Sequence, residues 1–313
     1  MQIPILKNLG HKNSIGVDLG AAAVKFARLV TTAPDRHKLV FLDSLEIPKD
    51  PGQLPSLLRE FIVRHKLDAI PAAVSFQDET LHIRKLELPK MPSEDLKEAV
   101  RWQMRDIAEG SMDDYTVAYA TIKEQMHADI TRLALLGYAV KKASMQETEL
   151  LLRKAGLKPF FMEPVPVSLA HEVERVFPSL ENEWIGCIDI GMKRSYFAAI
   201  GSGRLQFVRY MSGVSYAQAA ELKENYPAKL AVEIQHAIDA FSIACQAERL
   251  EKIILSGGGS SLEGLSLFLS QNIGIATEVL NPFQGIEMGA PFPLARQKPY
   301  LFGPALAMAF LKP

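Results

Sequence analysis

The sequence predicts an α/β fold made of two copies of one lobe, with a separate block inserted into the first copy. Three stretches carry that prediction. Ser14–Leu29 reads Ser-Ile-Gly-Val-Asp-Leu-Gly-Ala-Ala-Ala-Val-Lys-Phe-Ala-Arg-Leu, in which Ile15, Val17 and Leu19 alternate with small or polar residues as in a half-buried strand. Asp18 stands near the strand end, and Gly20 permits a sharp turn into a second alternating run, Val24–Val30. Ile185-Gly-Cys-Ile-Asp-Ile-Gly repeats the pattern, with Asp189 and Gly191 in the places of Asp18 and Gly20. Ile253-Ile-Leu-Ser-Gly-Gly-Gly-Ser then puts Gly257, Gly258 and Gly259 at a strand-to-helix junction. One Asp-x-Gly is common at plain hairpins, and one triple glycine serves as a tight turn. Their recurrence in order is the signal.

Taken from the start, strand-like runs fall at Ile15–Leu19, Val24–Val30 and Lys38–Ile47, and Pro48-Lys-Asp-Pro-Gly ends them. Leu54, Leu57, Leu58, Phe61 and Ile62 share one stripe of a helix over 53–65. Pro71–Phe76 reads as a short buried strand and Thr80–Leu88 as an alternating one. Ser93, as N-cap, with Glu94 and Asp95 behind it, opens a helix bearing Leu96, Ala99, Val100, Met104 and Ile107 on one face. Trp102 falls beside that stripe, as a partly buried contact or as a residue that docks a partner. Strands at Tyr115–Ile122 and Thr131–Val140 and a helix over Ala143–Ala155, closed by Gly156, complete a block from about 86 to 156 that reads as an insertion. From near Glu181 the opening pattern returns. Strands fall at Trp184–Ile190, Ser195–Ile200 and Leu205–Tyr210, then helices over 216–224 and 229–246 on either side of Pro227. The strand Lys252–Leu255, a helix over 262–272, the strand Thr277–Leu280 and a last helix over 302–311 follow.

Composition narrows the function. At 313 residues the chain has room for about two domains, and 48% apolar residues are enough to bury a core in each. A formal net charge of −1 argues against a basic nucleic-acid binder. Cys187 lies in an apolar strand and Cys245 in a helix, so both read as buried thiols of a reducing compartment. Met1–Lys7 lacks the apolar core of a secretion signal, and no window approaches the roughly 20 apolar residues of a membrane span. These features lead us to expect a cytoplasmic protein that reaches a membrane only through a partner. The seven histidines show no metal-ligand spacing, and no Ser–His–Asp or Cys–His arrangement stands out.

Two lobes, each led by an acidic glycine turn, would close on one spot. Backbone donors at the turns suit phosphate oxygens, and two carboxylates suit the water shell of a hard cation. A nucleoside triphosphate with Mg2+ fits that pair of demands.

The same residues resemble those of the actin-like ATPase superfamily, and within it the PilM-type proteins of type IV pilus assembly, relatives of the cell-division protein FtsA. The resemblance spans nearly the whole chain. It rests on Ile15–Lys25, on Arg84–Pro92 followed by Ala99-Val-Arg-Trp-Gln, on Glu233-Ile-Gln-His, on Leu255–Leu265 and on Glu278–Phe283. It implies a duplicated actin-like (RNase H-like) fold with an inserted 1C-type subdomain. Subdomain 1A would take 1–85, 157–180 and a C-terminal helix in 299–313; the 1C-type insert 86–156; subdomain 2A 181–213 and 252–298; and a short 2B-type lid 214–251. It further implies ATP and Mg2+ as ligands. Asp18, Gly20, Ala21, Ala22 and Lys25 would form the first phosphate loop; Asp189, Gly191 and Lys193 the second, closed by Gly213; and Gly257, Gly258 and Gly259 the adenosine motif. Lys223 and Glu233 match lid residues that touch sugar and base. Asp18 and Asp189 would hold Mg2+ through water. The insert, with Arg101 and Trp102, would bind the cytoplasmic tail of an inner-membrane PilN-like protein paired with a PilO-like one. Pilus motor ATPases and self-association complete the implied partners.

Ala21-Ala22-Ala23 departs from the family, which usually carries serine or threonine there. A hydroxyl lost from a phosphate or Mg2+ site removes a charge-assisted bond worth roughly 1.5–3 kcal/mol. Lys193-Arg194 either restores positive charge or forms a solvated turn. Three readings therefore stand: a nucleotide-binding pilus scaffold with slow or absent turnover, a scaffold of a pilus or type II secretion platform with a decayed ATP site, and a small-molecule kinase. No acceptor-side domain speaks for the third.

Overall fold

The structure, a computed structural model, describes residues 14–107, 109–127, 130–177, 183–247 and 249–313. The readings of Met1–Lys7 and of a second-half start near Glu181 lie outside the described residues. The first lobe opens with β1 (Ile15–Leu19), β2 (Ala23–Ala33), β3 (Arg36–Glu46), α1 (Leu54–Arg64) and β4 (Pro71–Phe76). The chain then leaves for β5 (His82–Pro89), α2 (Ser93–Gln103), β6 (Tyr115–His127) and β7 (Ile130–Lys141), and returns with α3 (Lys142–Ala155), β8 (Lys158–Pro164) and α4 (Val165–Val176). The second lobe holds β9 (Trp184–Ile190), β10 (Ser195–Gly201), β11 (Arg204–Met211), α5 (Tyr216–Leu222), α6 (Tyr226–Cys245), β12 (Lys252–Ser256), α7 (Leu265–Ile273) and β13 (Thr277–Val279). A closing segment, β14 (Glu287–Met288), α8 (Pro293–Gln297) and α9 (Gly303–Ala309), crosses back to the first lobe.

The duplication is visible strand for strand. The first sheet runs β14-β3-β2-β1-β4-β8 and the second β11-β10-β9-β12-β13, so β3-β2-β1-β4-β8 matches β11-β10-β9-β12-β13. In each, an antiparallel hairpin leads and its first strand pairs parallel with the strand after a helix. Leu58, Ile62 and Leu152 of α1 and α3 pack on one face of the first sheet with Val17, Phe26 and Val74. On the second sheet, Leu230, Ile234, Phe241 and Leu269 of α6 and α7 pack on Ile188, Phe197 and Leu255. The inner faces are covered by α9, through Leu306 and Ala309 against Ala27 and Leu39, and by α4, through Leu169 and Val173 against Ile185 and Cys187. These two central helices pack on each other.

The insert is a three-stranded sheet, β5-β7-β6, with apolar side chains packed on each of its faces. Leu86, Leu133, Leu135 and Ala139 lie under α2. Ile122 and Leu136, facing the other way, join the core of α4 and the second lobe. This alternation is the period-2 pattern of a strand sandwiched on both sides. Three local differences from the sequence reading have simple causes. Ser93 is the first helical residue, with Pro92 at the cap and no side-chain capping bond. Pro227 sits in the first turn of α6, where a missing N–H costs nothing, rather than between helices. Finally α3, read from sequence with the insert, lends Leu152 and Ala155 to the first lobe's core, because its apolar stripe faces α1. Gly156 follows it with φ +98°, as a C′ glycine does. Among the described residues no helix is long and apolar enough to cross a membrane.

Candidate functional site

The two hairpins make the same turn. Gly20 N donates to Ala23 O at 3.2 Å and Gly191 N to Arg194 O at 3.0 Å, closing four-residue loops of equal length. Across each hairpin the acidic residue faces a different partner. Asp18 stands opposite Lys25, whose Nζ lies 2.6 Å from its Oδ2, whereas Asp189 stands opposite Tyr196. Ser75 and Ser256 flank the two aspartates from the parallel strands. Strand pairing thus sets both carboxylates at equivalent sheet ends, and the lobes face them into one cavity of about 500 Å3.

Both carboxylates are buried. Burial first, and then the charge of Asp18, push the Asp189 carboxyl up to about 7; Lys25 and the bond from Gln77 Nε2, 3.1 Å from Oδ2, offset part of this. Asp18 Oδ1 is buried without a hydrogen-bond partner. Buried polar atoms are normally satisfied, so this oxygen is an acceptor held ready for a donor or a hydrated cation. The amides of Ala21, Ala22, Met192 and Lys193 donate to no carbonyl among the described residues. Gly257, at φ +78°, lets the chain pass Asp189 where a Cβ would sit 2.5 Å from Oδ1. Cavity size, open amides and an acidic pair with a free oxygen fit a polyphosphate with a hard divalent cation.

Of the residues named from sequence, the cavity wall brings together Asp18, Gly20, Ala21, Ala22, Lys25, Asp189, Gly191, Gly257 and Gly258. The others lie off it. Lys193 is exposed in its turn and off the cavity lining, and Gly213 lies beside Lys229. Lys223 is exposed at the end of α5, and Glu233 faces His236 on α6. Gly259 is buried under Ile190, where a Cβ would come 2.2 Å from Cγ2. In place of lid residues, Tyr216, Lys298 and Tyr300 line the wall beyond the glycine turn. Tyr300 O accepts from Gly257 N at 3.3 Å and from Ser256 Oγ at 3.2 Å, which fixes the closing segment there. Sequence reading missed these residues and Gln77. For Gln77 a signal existed, since it directly follows the strand paired with β1; Lys298 and Tyr300 arrive only through tertiary packing.

A family model described as type IV pilus assembly protein PilM matches residues 211–309. A solved structure described as a PilM–PilN type IV pilus biogenesis complex superposes with a TM-score of 0.83 at 19% identity, covering 97% of this chain and 100% of that one. Over 211–309 the chain is similar to PilM proteins, and over nearly its whole length it shares the fold of a chain from that complex. A Bacteroides thetaiotaomicron protein of actin-like ATPase fold and unknown function follows at TM-score 0.52 and 10% identity, with 96% and 97% coverage. The ethanolamine utilization protein EutJ from Carboxydothermus hydrogenoformans gives 0.51 at 14%, with 98% and 93% coverage. No curated protein matches in sequence. These likenesses show that the chain has the actin-like ATPase fold.

Away from the cleft, the chain presents Trp102 on α2 at 67% exposure, with the Arg105 guanidinium 5.3 Å from its ring. Arg101 pairs with Asp113 on the same surface. An exposed indole flanked by arginines is a common composition for the centre of a protein interface.

Proposed function

We propose that the chain binds ATP with Mg2+ between its lobes and serves as a scaffold of type IV pilus assembly. In this reading it holds the cytoplasmic tail of a PilN-like inner-membrane protein on its insert and so sits at the membrane through that partner. The observation that carries the reading is the full-length likeness to a chain of a PilM–PilN complex, joined to a cleft whose acidic turns and open amides suit MgATP. Asp18 and Asp189 would take the cation's water shell, the amides of 21–22 and 192 the phosphates, and Tyr216, Lys298 and Tyr300 the nucleoside end. A bound polyphosphate–cation pair supplies the link that pulls the two turns together.

Calorimetric titration with MgATP tests the cleft. Asp18→Ala is expected to weaken binding roughly tenfold or more, since it removes a charged acceptor. Equal affinity in parent and variant would place the site elsewhere, and no heat with either would favour the nucleotide-free scaffold, a reading to which Ala21–Ala23 gives some support. Trp102→Ala tests the other surface. Its exposure predicts a stability change within about 0.5 kcal/mol, unaltered MgATP binding and weaker capture of an immobilised tail peptide of the membrane partner. Unchanged capture would move the docking surface off α2.

A further inference from the structure

The cleft and the insert are joined by four consecutive residues, Gln77–Thr80, which lead from the end of β4 towards the start of β5. At the cleft end, Gln77 Nε2 bonds Asp189 Oδ2 at 3.1 Å. The Asp78 carboxylate accepts from Thr80 N at 2.7 Å and from Ser144 Oγ, in the first turn of α3. Thr80 Oγ1 accepts from Lys141 N at 3.0 Å, at the end of β7. Glu79 O accepts from Arg194 Nη2 at 3.0 Å, and Arg194 also supplies the carbonyl that closes the second acidic turn. Its guanidinium is steadied over Tyr210, 4.8 Å from the ring centroid. One short loop therefore grips both roots of the insert, where the chain enters at β5 and where it leaves at β7, and grips the second lobe's acidic turn as well.

The far side of the insert is tied to the same lobe. Ile122 and Leu136 share a core with Ile200 and Leu205, and Lys85 Nζ donates to Ala244 O at 2.7 Å, in the last turn of α6. A cation there faces the carbonyl end of a helix, where positive charge is favoured. The insert belongs by sequence to the first lobe, yet it is packed so that it cannot keep its contacts if the lobes rotate.

We propose that Gln77–Thr80 transmits occupancy of the cleft to the insert. This rests on the nucleotide reading above and adds its regulatory consequence. A hydrated cation at Asp189 competes with Gln77 for the same carboxylate oxygen, and a phosphate at turn 191–194 draws on the residues that hold Arg194. Either change re-sets the grip on the two strand roots, and α2, packed on those strands, moves with them. Coupling of binding free energies is reciprocal, so a peptide held on the insert alters cleft affinity by the same factor.

Amide hydrogen exchange of the full chain, with and without MgATP, tests this. In the parent, MgATP is expected to protect turns 20–23 and 191–194 and to change exchange at 78–86, 136–144 and α2 roughly fivefold or more. Ser144→Ala should keep the protection of the turns while losing the response at the roots and α2. A parent whose turns respond and whose roots do not, or a variant that responds like the parent, overturns the proposal. If MgATP protects no segment, the nucleotide reading fails by itself, and the ligand-free comparison decides. Arg194→Ala should then raise exchange at both roots, and unchanged exchange there overturns the link.

Discussion

Asp189→Asn is expected to make the ligand-free protein more stable above neutral pH while weakening its hold on MgATP. The Asp189 carboxyl is held at about 7 by burial and by the charge of Asp18, against 3.8 in an unfolded chain. Between those values the folded state binds the extra proton, so stability falls as pH rises from about 4 to about 7 and then levels off. Above that window an ionised Asp189 costs the native state on the order of 2–4 kcal/mol, which the amide does not. Urea unfolding at about pH 8 should show that gain, and it should fade as pH falls towards about 4. Saturating MgATP should reverse the ranking, because only the parent gains strongly from the ligand. Equal stability at high pH, or a gain independent of pH, would mean that Asp189 is not under the strain its surroundings imply. A group that weakens the empty protein and strengthens the loaded one is what a site kept for a ligand looks like.

How much of this was legible beforehand depended on whether the information was local. The hairpins at Ile15 and Trp184 were readable because alternation, an acidic residue and a glycine lie within seven residues of each other, and the structure puts Asp18, Gly20, Asp189 and Gly191 on one cavity wall. The fold class followed from their recurrence, and the matching strand order explains why. By contrast β8 and α4 were not resolved as elements. Pro159, Pro164 and Pro166 look like breakers, yet Pro166 sits in the first turn of α4, where proline is tolerated. That helix also carries Glu172, fully buried and raised to about 7 by desolvation despite Arg175, a pattern that reads as surface in one dimension. The two lid residues that the resemblance implied lie off the cavity wall for a related reason. Lys223 and Glu233 lie near the right part of the chain, but α6 is laid flat on its sheet by Leu230, Ile234 and Phe241, which leaves that wall to the closing segment.

Gly16→Ala is expected to cost about 3 kcal/mol or more, by forcing a well-packed interface apart. Gly16 lies in β1 between Ala27 of β2 and Ala73 of β4, so three small side chains adjoin across the sheet. Against that flat patch runs α9, contributing Ala305, Leu306 and Ala309 to the core on Ala27, and Ala307 and Met308 to a smaller one on Ala73. A Cβ on Gly16 would meet Ala305 O at 1.9 Å and Ala309 N at 2.4 Å, which are backbone atoms with no rotamer to move. The helix would have to lift. Phe302 and Pro304, at its start, line the cavity between the lobes, so under the proposed function MgATP affinity should fall together with stability. Gly203→Ala is the control, because φ is +67° and nothing lies within 4 Å of a Cβ there, which leaves only backbone strain of about 1–2 kcal/mol. If urea unfolding finds Gly16→Ala no worse than Gly203→Ala, the close seat of α9 on β1 is wrong. With it would go the account of how the last helix of the chain closes a cleft whose acidic turns lie some 170 residues apart in sequence.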